Sequence, residues 1–296
     1  MSDFSPETRN SAWWSGDSRK AANGKANEVI LTKLGKLPIP DLSDVEAVQM
    51  GHVMEPVIGR LAQDRLKIEL TKVEESLVHP KHPWFKSHFD FAGKENGKTV
   101  LVEAKNYSAA VRGKFDGSVI PPADMAQLIH EAAVFGVDKI YLAVLFGGQE
   151  FVLFPFDIHD EQKDELIQRM AEHWGRIQAQ TPYAPEDVEQ AKLMFPVSKD
   201  SVKTATGTVE QAAKTLKLIK AEIKALEERE AAFQAALQGY LGDADTLTTV
   251  DGEILCTWKS AKASKAFDAK LFQAANPAMY DQFVVEKAGS RRFLVK

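Results

Sequence analysis

Polar and apolar residues alternate with period two through residues 84–91 and again through 98–105, and Asn96-Gly97, a strong tight-hairpin signal, stands between the two runs. Two paired strands are predicted. With Asn96 and Gly97 as the central turn residues, Glu95 faces Lys98, and counting outward Asp90 faces Glu103 and His88 faces Lys105. A second hairpin is predicted at Gly147-Gly148, between strands at 139–146 and 149–156, the first apolar enough to be central. Pro121-Pro122 leads into a helix through Asp124, Gln127, Ala132 and Phe135 that Gly136 closes, with Gln127, His130, Glu131 and Val134 on one side. An amphipathic helix follows over 160–177, burying Leu166, Met170, Trp174 and Ile177.

Upstream, Ser43 to Glu46 reads as a capping box that opens a helix with apolar positions at Val53, Val57, Leu61 and Leu66. Its centre holds Gly51 and Pro56, which cost about 1 and about 3 kcal/mol inside a helix. Such violations are expected where a carboxylate, here Glu55, must be aimed. A helix break with a solvated Glu55 is the alternative. After Thr181 to Pro185 the pattern changes: steps of three and four run from Ala205 and Val209 to Leu237 and Tyr240, interrupted by Glu230, giving a long helix with a coiled-coil seam. A hairpin at Asp251-Gly252, a short helix over 268–275 and a strand over 291–296 end the chain. The expected organisation is an α/β domain at 1–180, a linker at 181–197, the heptad helix at 198–242 and a small basic α/β appendage at 243–296.

Composition narrows the class. The 296 residues are 44% hydrophobic, enough for one well-buried domain and an extension. Cys256 is the single cysteine, so no internal disulfide can form, which fits a reducing cytoplasm. No secretory leader, membrane-length apolar run or nucleotide phosphate loop is seen, so a cytoplasmic protein that does not consume ATP is expected. The net charge of −5 does not favour a nucleic-acid partner, but residues 259–296 carry eight Lys or Arg against three Asp or Glu, and local patches decide such binding.

Candidate chemistry comes from the first hairpin. Directly opposed side chains lie about 4.5–5.5 Å apart, a distance at which two carboxylates repel. A divalent cation would offset the repulsion, and magnesium takes one or two carboxylates together with water and phosphate. Lys105 projects from the same face. A solvated sheet face with a slipped register is the alternative reading of these residues alone.

The ordered set Gly51-x-x-x-Glu55 on a helix, Asp90, Glu103-Ala104-Lys105 on a strand and Gln127 on the next helix resembles the PD-(D/E)XK nuclease superfamily, and within it the YqaJ-type viral recombinases related to lambda exonuclease. The likeness covers roughly residues 10–180. It implies a restriction-endonuclease-like core, a mixed central sheet flanked by helices. Asp90, Glu103, the Ala104 carbonyl and Glu55 would hold magnesium or manganese, two ions in all, with Lys105 and Gln127 completing the catalytic set. Phe89 stands where the superfamily usually has proline. Ser18 and Arg19, near the family's phosphate-binding arginine and serine, are candidate DNA contacts, as is His130, for which partial burial is the competing reading. The resemblance further implies 5′-to-3′ digestion of linear double-stranded DNA to leave 3′ single strands, a ring-like homo-oligomer (a trimer) and a single-strand annealing protein as partner. Another nuclease of the superfamily, or a DNA-binding scaffold that acts through its coiled coil, remains open.

Overall fold

The computed structural model describes residues 5–117, 119–286 and 289–296, which form two compact units, Met1–Phe195 and Pro196–Lys296. The first opens with α1 (Pro6–Asn10), β1 (Trp13–Trp14), α2 (Ser15–Lys20), α3 (Ala26–Lys33) and the long α4 (Glu46–Leu66). Strands β2 (Leu70–Lys72), β3 (Leu77–His79), β4 (His82–Ser87), β5 (Phe91–Glu95) and β6 (Lys98–Tyr107) follow, then α5 (Pro122–Phe135), β7 (Lys139–Phe146), β8 (Glu150–Asp157), α6 (Asp160–Gln178) and α7 (Val188–Met194).

The central sheet has the order β2-β5-β6-β7-β8. Only β6 and β7 run parallel, and α5 makes the crossover between them, as a parallel pair requires. The fold is thus the mixed α/β sheet with helical cover that the sequence indicates. Strand β6 alternates its side chains between the two faces. Val100 and Val102 meet Ile58 and Ala62 of α4, whereas Leu101 packs in the larger core with Leu128 and Ala132 of α5 and Met170 of α6.

The first hairpin has the predicted register where it pairs, Glu95 to Lys98 through Phe91 to Val102, with Asn96 and Gly97 both at positive φ. Residues 84–91 do not form one strand, however. Trp84 to Ser87 belong to β4, in a separate three-stranded sheet ordered β1-β4-β3, and the chain passes between the sheets at His88, Phe89 and Asp90. His88 accordingly stacks on Trp14 instead of facing Lys105, with ring centroids 4.9 Å apart.

Helix α4 runs continuously through Gly51 and Pro56. Its start differs from the expected capping box: Val45 is the N-cap, and Ser43 serves through its carbonyl, which accepts from the side chain of Gln49 at 2.7 Å. Its buried face lies one position further on than the apolar spacing suggests, since Val53 and Val57 are 60% and 46% exposed while Ile58, Gly59 and Ala62 are buried. Gly59 sets this rotation, because a Cβ there would overlap the ring of Phe91.

The segment expected to be a linker at 181–197 carries α7 and is tied to α3, where the Asn27 side-chain amide donates to the Ala184 carbonyl and to Gln190 Oε1. In the second unit, α8 (Gly207–Leu241) starts after Ala205, nine residues later than the expected 198. The β9 (Thr246–Thr248) and β10 (Ile254–Thr257) hairpin follows, then α9 (Ala269–Ala275) and α10 (Pro277–Gln282). The strand expected at 291–296 is absent: these residues are without regular structure, because no neighbouring strand pairs with them.

Candidate active site

Glu103, Lys105 and Tyr107 stand in a row on one face of β6, and Glu131, Gln127 and Asp124 form the facing row on α5. Alternation along the strand creates the first row and the helical repeat the second. Glu103 is only 5% exposed. Its Oε1 accepts from Lys105 Nζ at 2.5 Å and from Gln127 Nε2 at 2.6 Å, and the same Gln127 nitrogen donates to Glu131 Oε1 at 2.9 Å.

Asp90 joins from the crossing between the two sheets. Its backbone carbonyl accepts from the Val73 amide at 3.1 Å, and its Oδ2 accepts from the Ala104 amide at 2.8 Å, so the carboxylate caps the end of the β5–β6 ladder beside Glu103. Burial, and then repulsion from Glu103, push the Asp90 carboxyl up to about 8 despite the opposing pull of Lys105. Glu131 is likewise raised well above the ordinary carboxylate range by burial and by Glu103. For Lys105, burial opposes the charge, but contact with Glu103 outweighs it and raises the pKa, so the ammonium form persists.

Four of the candidate residues, Asp90, Glu103, Lys105 and Gln127, are therefore brought together. Glu55 lies at the edge: its Oε1 pairs with Lys72 Nζ at 2.9 Å, and it reaches Asp90 only through its field. Sequence reasoning missed Glu131 as a member of this group. The available signal was its position one helical turn after Gln127, next to His130.

Ser18 and His130, the candidate DNA contacts, lie inside the fold. Both are fully buried. His130 Nε2 lies 2.8 Å from the Lys86 carbonyl, which can only accept, so that nitrogen carries the proton and Nδ1 accepts from the Ser18 hydroxyl at 2.8 Å. Ser18 in turn accepts from Trp13 Nε1 at 3.0 Å. Burial pushes the His130 pKa down to about 3, so the ring is neutral at ordinary pH and bolts α2 to α5 and β4.

Arg19 behaves differently. Its Nε pairs with Asp124 Oδ1 at 3.0 Å and its Nη2 donates to the Tyr107 oxygen at 3.0 Å, while the Tyr107 hydroxyl donates to Asp124 Oδ1 at 2.7 Å. Burial opposes the guanidinium charge, but Tyr107 and Asp124 outweigh it and raise its pKa. Burial and Asp124 push Tyr107 up to about 12. These residues border a cleft of about 410 Å³ that Lys20, Lys25 and Lys114 also line. Tyr107 lies four residues along β6 from Glu103, about 13 Å at strand rise, so the cleft continues the same groove.

The profile of the YqaJ-like viral recombinase domain matches residues 16–138, from α2 to the end of α5. The segment from residue 16 to residue 138 is therefore similar to a YqaJ-like viral recombinase domain. Asp90, Glu103, Lys105, Gln127 and Glu131 all lie within that segment. Over 278 residues the chain is 24% identical to the uncharacterized protein YqaJ of Bacillus subtilis strain 168, covering 91% of this chain and 85% of that protein. Among solved structures, it is similar to an alkaline exonuclease from Laribacter hongkongensis, with 13% identity, a TM-score of 0.48 and coverage of 59% of this chain and 92% of the other. It is also similar to a phage-related exonuclease from Haemophilus somnus 129PT, with 10% identity, a TM-score of 0.41 and coverage of 55% and 81%.

The donors at this site suit a hard cation. Among the described residues no group of three or more His, Cys, Asp or Glu forms a ready-made cage. Two oxygen donors that repel each other, Asp90 and Glu103, match what magnesium uses when substrate phosphate and water supply the remaining positions.

Proposed function

We propose that this protein is a divalent-metal-dependent deoxyribonuclease that degrades linear double-stranded DNA from its ends. The observation that carries the reading is the pair of mutually repelling carboxylates, the half-buried Asp90 and the buried Glu103, the latter bonded to Lys105, inside the segment similar to the YqaJ-like domain. Asp90 and Glu103, with the Ala104 carbonyl and Glu55, would hold magnesium or manganese, two ions in the full set. Bound there, the metal supplies a Lewis acid for the phosphate, an acidified water and a template for the leaving oxygen.

The protein's own groups do the rest. Gln127 fixes the Glu103 carboxylate by holding one of its oxygens, and burial pushes Glu131 toward its neutral form. Lys105 keeps an ammonium at Glu103 Oε1, where it orients the attacking water or neutralises charge that grows on the phosphate. Arg19 and the lysines of the adjoining cleft offer cationic partners to the next phosphates of the strand. Among the described residues no helix is long and apolar enough to cross a membrane, in keeping with a cytoplasmic enzyme.

The finer assignments are 5′-to-3′ polarity, a 3′ single-stranded product handed to an annealing protein, and a homotrimer. The decisive experiment compares linear duplexes labelled at the 5′ or 3′ end with closed circular DNA, in magnesium and in EDTA. Release of 5′-terminal nucleotides from the linear form alone, abolished by EDTA, is the expected result. Cutting of circles would make the protein an endonuclease of the same superfamily, and cutting of neither would leave a DNA-binding scaffold.

A further inference from the structure

The heptad seam of α8 steps by three and four residues from Val209 to Tyr240, and Glu230 is its one charged member. Ile219, Ile223, Leu226 and Phe233 on it keep 44–69% of their surface exposed. A 35-residue helix, about 52 Å long, thus presents an apolar edge whose period is the one two wrapped helices need. The ion pairs that α8 forms, Lys214 with Glu210 and Lys224 with Glu228, lie on its outer face, away from the seam. Among the described residues, the charges that flank the seam, Lys220, Glu222, Glu227 and Arg229, have no salt bridge within the chain.

We infer that α8 pairs with α8 of a second copy of this chain as an antiparallel two-stranded coiled coil, centred between Lys224 and Ala225. Charge sets the direction. In a parallel, in-register pair Glu222 faces Glu227 of the second copy, twice by symmetry, and the two Glu230 side chains meet inside the seam. Both contacts are repulsive. Reversing one helix about the stated centre brings Glu222 to Arg229 and Lys220 to Glu227, again each twice, so that eight repelling or unpaired groups become four attractive pairs. The same reversal sets small Ala212 against large Leu237 and Glu230 against Ile219, and separates the two Glu230 carboxylates by about 16 Å along the axis.

The hairpin that follows α8 leaves room for this partner. A cleft of about 530 Å³, lined by Phe233, Leu237, Cys256 and Trp258 among others, opens beside the last turns of the helix. In the antiparallel register it receives Leu216 and Ala212 of the second copy.

Cross-linking of the full chain tests the pairing. In a C256S background, equimolar A212C and L237C proteins are mixed and oxidised, and each is also oxidised alone. A disulfide-linked dimer is expected from the mixture and not from A212C alone, since the two copies of residue 212 then lie about 37 Å apart along the axis. R229E is expected to raise the dimer dissociation constant, measured by sedimentation, about tenfold, and E222R/R229E to restore it. Cross-linking of A212C alone, insensitivity to R229E, or a chain that sediments as a monomer at every concentration each overturns the proposal. Self-association of the nuclease unit would change the mass but not this pattern of cross-links.

Discussion

A single side-chain nitrogen of Gln127 lies 2.6 Å from the carboxylate of Glu103 and 2.9 Å from that of Glu131. One amide therefore serves two buried acids, and its removal takes a donor from each, leaving Glu103 to Lys105; an unsatisfied buried group costs about 1–3 kcal/mol. Q127L is expected to lower thermal stability by that order and to weaken metal binding, read by calorimetric titration with manganese. Wild-type affinity in Q127L would show that Glu103 holds its place unaided.

Lys105 carries the charge that Asp90 and Glu103 require when no cation is bound. K105A is expected to keep a native circular dichroism spectrum while turnover on linear duplex falls by roughly 10²–10³-fold or more. K105R, which retains charge but not the shape of an ammonium, is expected to recover little. Undiminished turnover in K105A would remove the lysine from the reaction.

The raised Asp90 pKa sets a pH dependence with a definite sign. An unfolded aspartate ionises near its ordinary value of about 4, whereas the folded one retains its proton up to about 8, so the folded state binds more protons in between. Stability of the metal-free protein should therefore fall as pH rises from about 4 to about 8. Melting curves in EDTA across that window test this, and D90N should flatten them. Saturating magnesium should do the same from the other side, because a cation stabilises the ionised pair.

Arg19 is one of the cations of the cleft beyond Tyr107, with 41% of its side chain still accessible while it pairs with Asp124. R19Q is expected to weaken DNA binding about tenfold at moderate salt and to reduce the magnitude of the log K against log salt slope by about 1, as the loss of one phosphate contact requires. An unchanged slope would place the backbone contacts elsewhere.

Gly59 offers a test of how α4 is mounted. G59A drives a methyl into the Phe91 ring, next in sequence to Asp90, and is expected to cost about 1–3 kcal/mol of stability by overpacking. Turnover should fall too. A variant as stable as the parent would mean that α4 has slack against the sheet.

The local elements were legible because their signals are local. Asn96-Gly97 fixed the hairpin register, Pro122 and Gly136 bracketed α5, and the apolar run at 139–146 matched β7. Asp90, Glu103 and Lys105 could be singled out by counting outward from the Asn96-Gly97 turn, and Gln127 by the family resemblance. What escaped depends on tertiary context. Nothing in the alternation of 84–91 announces that β4 and β5 lie in different sheets, since both strands obey the same period. Helix α4 turned a different face inward because one glycine allows close approach to Phe91, and such a contact between distant segments leaves no periodic trace. His130 and Ser18 look like exposed polar residues of a binding helix, yet their mutual bond and the Lys86 carbonyl make burial affordable.

Phe89 and Phe91 flank Asp90 and point into different hydrophobic layers, the first against Phe135 of α5 and the second beneath α4. The acid is thus strung between two anchors on opposite sides of the sheet, much as a wire is tensioned from both ends. Loosening either anchor shifts it, so core mutations far from any phosphate should silence the enzyme well before they unfold it.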